Sequence, residues 1–376
     1  MTMNALKGWK FPITPARVTL LLLAFFGIAM LAYRFAVGLG SATNLNDSFP
    51  WGLWIGFDMM SGVALAAGGF VMAFYVEIVG KGRFHRFLRP AIVTAFIGYI
   101  LAIVGLLGDL GLPWFIYHPI YMWNIHSVMF EVAWCVIIYT TVLFVEFLPM
   151  PLERLGMKGP LSLVRKIMPI MIVLGIVLST LHQSSLGSLF LLMGHRLHPL
   201  WWSPIIPVNF LLTAICVGFG MVIFESILSA KLLKHHLDMT LLGDMAKPFP
   251  WVLLAAFAVR LGDLAVRGKL SYIGEGSLQS VSFMVEVGLG LLLPAIMLLT
   301  PAVRYHAGRL FSAATLVVLG VVLNRINVSI IGMFTETSTY APKWTELVVS
   351  VGLVSLGVII IAFINENMPV QQNDHT

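Results

Sequence analysis

The chain has 376 residues, 59% of them hydrophobic and 11% charged, with a mean hydropathy of +0.93. Soluble domains carry about 25% charged residues, so composition excludes a water-soluble fold. The net charge of +6 and pI near 9.4 are explained by loop charge that sets orientation in a membrane, not by nucleic-acid binding.

Lys7, Lys10 and Arg17 precede the first apolar run. That run is longer than a signal-peptide h-region and no small-residue cleavage site follows it, so it is expected to be retained. Runs long enough to cross the hydrocarbon core predict an all-α integral membrane protein of about ten transmembrane helices. They fall at 17–37, 52–79, 90–111, 123–148, 163–185, 205–231, 249–266, 279–301, 309–328 and 344–364. Each run is continuous, not alternating, which selects helices over a barrel. Pro50, Pro113, Pro119, Pro149, Pro151, Pro199 and Pro342 fall between runs, as boundaries require. No stretch is long enough for a soluble domain, so residues 1–376 read as one membrane domain. Cys135 and Cys216 lie inside apolar runs with no CxxC pair, so no metal site is expected of them.

An even helix count puts both termini on one side. The N-terminal stretch and the 80–90, 149–166, 231–249 and 302–309 loops of that side carry sixteen Lys and Arg. The other side has five: Arg34, Arg196, Arg267, Lys269 and Lys343. The excess marks the first side as cytoplasmic, which predicts a multi-pass protein of the bacterial inner membrane with both termini cytoplasmic.

Charged groups inside a bilayer cost several kcal/mol unless paired or hydrated, so their positions are informative. In the second span Gly62, Ala64, Ala66, Ala67, Gly68 and Gly69 predict close helix packing. Trp54 and Asp58 share a face of that span. Asp109 ends the third. Asn124, Ser127 and Glu131 share a face of the fourth, with His126 beside them. His182 and Gln183 end the fifth, and Glu225 is alone in the inner half of the sixth. Arg260, Asp263 and Arg267 fall at i, i+3 and i+7 of the seventh, where Arg260 with Asp263 reads as a structural ion pair. Glu286 lies in the outer half of the eighth span and Arg325 at the outer end of the ninth. Nearly all these groups are in the outer half. Glu77 and Glu146 lie near the inner boundary, where solvation explains them. Trp51, Trp114, Trp123, Trp201 and Trp202 form an interfacial belt.

Three chemistries compete. A haem b site needs axial histidines on facing helices, and only His126 and His182 lie at membrane depth. A secondary transporter predicts a midplane site and internal repeats, and the polar groups are off-centre. A quinone site needs an apolar slot, hydrogen-bond donors at the carbonyls and acids that exchange protons. The outer cluster of Asp, His and Glu beside Trp and Tyr meets those needs.

Several stretches carry a family likeness: VGLGSATNLNDSFPWGLWIGFD (37–58), NIHSVMFE (124–131), STLHQSSLGSLF (179–190), HRLHPLWW (195–202), VRLGDLAVRGKL (259–270) and QQNDH (371–375). In these the chain resembles the NrfD, or polysulfide-reductase, type of membrane subunit, most closely those of uptake nickel–iron hydrogenases. The resemblance implies two four-helix bundles, spans 2–5 and 6–9, with flanking helices. It implies a periplasmic ferredoxin-like iron–sulfur partner, the large and small subunits of a [NiFe] hydrogenase, and electron transfer to menaquinone or another membrane quinone. It implies no haem. Another oxidoreductase of this type, or a non-catalytic anchor, is the alternative. Some relatives place a quinone-contacting Asn or His on the first helix, where this chain offers only Tyr33 and Arg34.

The expected quinone contacts are Trp54, Asp58, Asn124, His126, His182 and Gln183. The expected proton-handling residues are Glu131, Glu225, Arg260, Asp263, Glu286 and Arg325. No residue is expected to be catalytic by itself, and no metal is expected.

Overall fold

A computed structural model describes residues 8–49, 51–194, 196–233, 236–335 and 338–370. Lys7, Pro50, His195, Lys234 and the QQNDH tail lie outside the described residues. Among the described residues there is no strand, and ten helices are long and apolar enough to cross a membrane. They are α1 Pro15–Val37, α2 Trp54–Ile78, α3 Gly82–Asp109, α4 Val128–Arg154, α5 Lys158–Met193, α6 Ile206–Leu233, α7 Met239–Val266, α8 Leu278–Leu299, α9 Ala307–Met333 and α10 Trp344–Asn367.

The helix starts follow capping chemistry. Thr14 Oγ1 accepts from Arg17 N at 3.3 Å ahead of α1, and Ser277 Oγ accepts from Ser280 N at 3.1 Å ahead of α8. Several boundaries differ from the sequence expectation, α3 starting at Gly82 and α5 running over Lys158–Met193, and two others are set by a cap. Helix α4 begins at Val128, not 123, because Ser127 caps it, its Oγ accepting from Phe130 N. Helix α7 begins ten residues early with a turn of helix at Met239–Met245, capped by Asp238. The hydropathy threshold misses that turn, which carries Asp244.

Helices α2, α3, α4 and α5 each pack on the next, and α5 packs back on α2. Helices α6 to α9 close a second ring in the same way. The two bundles meet where α6 lies against α2 and α5, and where α9 lies against α2. Helices α1 and α10 pack together along their length and flank the first bundle at α2 and α3. Glycine permits this closeness: a methyl group on Gly27 of α1 would sit 2.5 Å from Gly352 Cα of α10. The small residues of α2 are used as expected, since a methyl group on Gly69 would meet Ala95 of α3 at 2.9 Å.

The apolar core divides by depth. Phe70, Phe84, Val217, Leu253 and Leu310 pack near the end that carries the termini. Met60, Tyr99, Tyr139, Phe190, Trp201 and Phe283 pack near the far end. Buried polar groups interrupt the far layer.

Candidate functional site

Two buried carboxylates stand out, each in a π-helical stretch. Asp58 lies in Trp54–Ser61 of α2, and Glu286 lies in Val285–Leu292 of α8. A π segment adds a residue to the turn and rotates the following side chains, a distortion that recurs at functional sites.

Asp58 faces α3 and α10. Ser350 Oγ of α10 donates to Asp58 Oδ2, and Asp58 Cβ fills the place that a side chain at Gly105 would need. Among the described residues no cation pairs with it. One helical turn toward the far end, Trp54 Nε1 donates to Glu346 O at 3.2 Å. The Glu346 carboxylate accepts from Tyr340 Oη, from Lys343 N at 3.0 Å and from Asn44 N at 3.1 Å. Tyr340 stands outside the spans. Burial, and then its bond to Glu346, push its phenol above the ordinary range, so it remains a donor. Asp109 ends α3 nearby, its Oδ1 buried and without a hydrogen-bond partner among the described residues.

Around the corner of α2 a small, half-open apolar cleft lies between α2, α3 and α4. Met59, Val63, Tyr99, Ala102, Ile103, Leu106 and Val136 line it. Tyr99 Oη and His182 Nδ1 are hydrogen-bonded at 2.9 Å behind its wall. His182 is fully buried, and its Nε2 has no partner among the described residues. Gln183 Nε2 donates to Val63 O at 2.9 Å, and its Oε1 has no partner among the described residues.

Glu286 is surrounded by donors. Trp201 Nε1 and Asn327 Nδ2 donate to Oε2, and Asn324 Nδ2 donates to Oε1, each at 2.7 Å. Arg260 of α7 lies 3.8 Å from Oε1. Arg325 Nη1 donates to Asn324 Oδ1 at 2.7 Å, and its guanidinium stacks 3.8 Å over Phe210. Ser282 Oγ donates to Asn327 Oδ1 at 2.6 Å. Such a net fixes a buried anion by charge-assisted bonds.

The sequence-predicted residues therefore separate. Trp54 and Asp58 share α2 as expected, and His182 with Gln183 reaches the same bundle. Asn124, His126 and Glu131 are exposed to one side of α4, so the expected pocket of Asp58, His126 and Glu131 does not assemble. Asn124 and His126 lie in the turn ahead of Ser127, not on a helix, which removes the common face with Glu131. Arg260 does not pair with Asp263. Asp263 Oδ2 accepts from Arg267 Nε at 3.0 Å and Nη2 at 2.7 Å, and Oδ1 accepts from Ser203 Oγ at 2.7 Å. Arg260 reaches across to Glu286 instead. Glu225 accepts from Thr94 Oγ1 of α3 at 2.6 Å, a link between bundles far from Glu286's net. Glu146, expected at a solvated boundary, is buried against Gly175 of α5.

Sequence reasoning missed Ser350, Glu346 and Tyr340, and the asparagines on either side of Arg325. A signal existed for Glu346: it stands three residues after Lys343 at the start of an apolar run, the spacing of a capping box.

Residues 41–336 match the family described as polysulphide reductase, NrfD. The chain is 38% identical, over 92% of its length and 91% of the relative's, to the probable Ni/Fe-hydrogenase 2 b-type cytochrome subunit of Escherichia coli. It is 30% identical, over 92% of its length and 89% of the relative's, to the menaquinone reductase integral membrane subunit of Nitratidesulfovibrio vulgaris. Another protein of that organism is 37% identical over 96% of this chain and 95% of its own length.

The first of these names corrects one expectation. The relative is named a b-type cytochrome subunit, so the reading that the family likeness implies no haem does not stand. Haem iron takes imidazole nitrogen as an axial ligand. Here the buried, unpartnered Nε2 of His182 is the donor of that type. His126, the other histidine expected at membrane depth, is exposed on the turn ahead of α4. No step below is routed through a haem.

The matched span covers most of the chain, and the relatives align over nearly its whole length: the protein is a multi-pass membrane subunit belonging to the polysulphide reductase NrfD family, related to hydrogenase and menaquinone reductase membrane subunits.

Proposed function

We propose that this chain is the quinone-reactive membrane subunit of a respiratory hydrogenase-type complex. It receives electrons from an iron–sulfur partner and passes them to membrane quinone. The observation that carries this reading is the apolar cleft between α2, α3 and α4, with Tyr99 in its wall, His182 bonded to Tyr99 behind it, and buried Asp58 on the adjoining face of α2. An apolar slot beside a few polar groups is the usual form of a site for a hydrophobic ligand.

Reduction of a quinone consumes two electrons and two protons, one on each carbonyl oxygen. The electrons come from the partner. Asp58, with a single hydroxyl donor and no cation, is suited to take up and return a proton, because a buried carboxylate so sparsely partnered is costly. In this reading Tyr99, backed by His182, orients the headgroup once the quinone has entered. Glu225, which accepts from Thr94, is a further proton-handling candidate in the second bundle.

The partner set proposed is a ferredoxin-like iron–sulfur subunit with the large and small subunits of a nickel–iron hydrogenase. Names of relatives support both hydrogenase and menaquinone reductase complexes. The far end, poor in Lys and Arg, is proposed as periplasmic and the end carrying the termini as cytoplasmic. In this reading the membrane is the bacterial inner membrane, and residues 1–376 act as one membrane domain.

The test uses the co-purified complex in lipid vesicles with menaquinone and a hydrogen or reduced-viologen donor. Menaquinol formation at a rate lost on His182→Ala or Asp58→Asn is expected. A complex that oxidises its donor with a soluble dye, but never reduces menaquinone, makes the chain an anchor only.

A further inference from the structure

The cleft has a direction. Met59, Val63, Tyr99 and Ala102 form a buried floor, whereas Ile103, Leu106 and Val136 are half-exposed. Its open side therefore lies between α3 and α4. On that flank α4 shows Met129, Ile137, Ile138 and Phe144 outward, a stripe suited to acyl chains.

The connection over this opening is unusual in composition. Residues 110–127 contain no Asp, Glu, Lys or Arg. Its large side chains point away from the protein: Trp114 is 62% exposed, Trp123 65% and Ile125 73%. A loop facing water would carry charge, and so would the rim of a protein interface. The connection also satisfies much of its own backbone through short turns at Pro113–Phe115 and His118–Tyr121, which a segment poor in water needs. It is tied to α4 by Trp134 Nε1, which donates to Pro119 O at 2.9 Å, and by Trp123, whose ring meets those of Phe130 and Trp134. Its apolar surface thus runs without interruption into the outward stripe of α4. Trp and Tyr favour the headgroup level of a bilayer, and apolar in-plane segments bury their side chains at that boundary.

We propose that the α3–α4 connection lies in the plane of the bilayer interface and roofs a lateral opening between α3 and α4, through which a lipid-soluble quinone enters the cleft. The entry route rests on the quinone reading above, and the placement of the connection does not. Entry from the bilayer suits a ligand whose tail never leaves the hydrocarbon. The ligand then passes Ile103, Leu106 and Val136 before reaching Tyr99.

Two measurements on the full complex in phosphatidylcholine vesicles test this. First, a nitroxide is placed at Tyr117→Cys or Ile125→Cys, with Ser48→Cys in the exposed α1–α2 connection as the aqueous reference. Collisions with oxygen, which dissolves in lipid, should exceed those with a water-soluble nickel chelate at positions 117 and 125, and the order should reverse at 48. Free access of the chelate at 117 and 125 overturns the interfacial placement. Shielding from both reagents overturns it in favour of a protein partner.

Second, Val136→Trp or, from the opposite rim, Ile103→Trp narrows the opening. The rate with a long isoprenoid quinone, relative to a short-tailed water-soluble analogue, should fall about tenfold, the factor that about 1.4 kcal/mol of overpacking produces. An unchanged ratio in both variants, with both quinones turned over, overturns the lateral route. Failure of the unaltered complex to reduce either quinone overturns the quinone reading itself.

Discussion

The two π-helical acids occupy opposite regimes. Glu286 in the second bundle accepts three hydrogen bonds at 2.7 Å and faces Arg260. Asp58 in the first bundle has Ser350 as its one hydrogen-bonding side chain among the described residues. Both are buried, so both needed a solution to the same desolvation cost. Glu286 solves it with fixed donors, and a charge so held is part of the architecture. Asp58 leaves it open, which is the state a proton-exchanging group requires. A cluster rich in arginine, asparagine and glutamate therefore argues for rigidity here, and the sparse site beside an apolar cleft argues for function.

The comparison breaks most visibly if Glu286 is neutralised. Glu286→Gln presents an N–H group to Trp201, Asn324 or Asn327 and leaves Arg260 without its counter-charge. Removing one partner of a buried pair costs about 3–5 kcal/mol, so the folded fraction on thermal unfolding in detergent should drop sharply. Wild-type melting of this variant would show that the net is not structural.

Asp58→Asn keeps the shape and should change stability by less than about 1.5 kcal/mol. Its menaquinone reduction should nevertheless fall by about a hundredfold, the typical contribution of a positioned acid or base. Loss of both fold and activity would move Asp58 into the class of Glu286.

Ser350→Ala removes the sole hydroxyl donor to Asp58. A net hydrogen bond is worth about 1 kcal/mol, and the pH profile of menaquinone reduction should move while the melting temperature barely does. Arg267→Lys sharpens the other side of the comparison. It replaces two nitrogens on Asp263 Oδ2 with one, and the loss of one net hydrogen bond, about 1 kcal/mol, should show as a modest lowering of the melting temperature. His126→Ala, at an exposed position, should leave melting unchanged.

Ten helices were legible because apolar runs long enough to span a membrane are a one-dimensional signal, and the bundles followed from the family likeness. The pairing of charges was not. Helical spacing relates residues of a single helix, so Arg260 was matched with Asp263 three positions on. In the folded chain Arg267 at i+4 holds Asp263 Oδ2 and Ser203 holds Oδ1, and Arg260 is released to Glu286 of α8. The same limit hid Ser350 behind Asp58, since their contact joins residues 292 positions apart. The face shared by Asn124, Ser127 and Glu131 failed for a local reason: Ser127 caps α4, and what precedes a cap is not helix. None of the three π-helical stretches among the described residues has a sequence signature.

The central claim is that quinone meets the first bundle and not the second. Photo-crosslinking with an azido-quinone in the reconstituted complex, followed by peptide mapping, tests it most directly. Label on the stretches of α2, α3 and α4 around Met59, Ala102 and Val136, displaced by excess menaquinone, is the predicted result. Displaceable label on α8 and α9 around Glu286 and Asn324, with none on the cleft, would contradict the account.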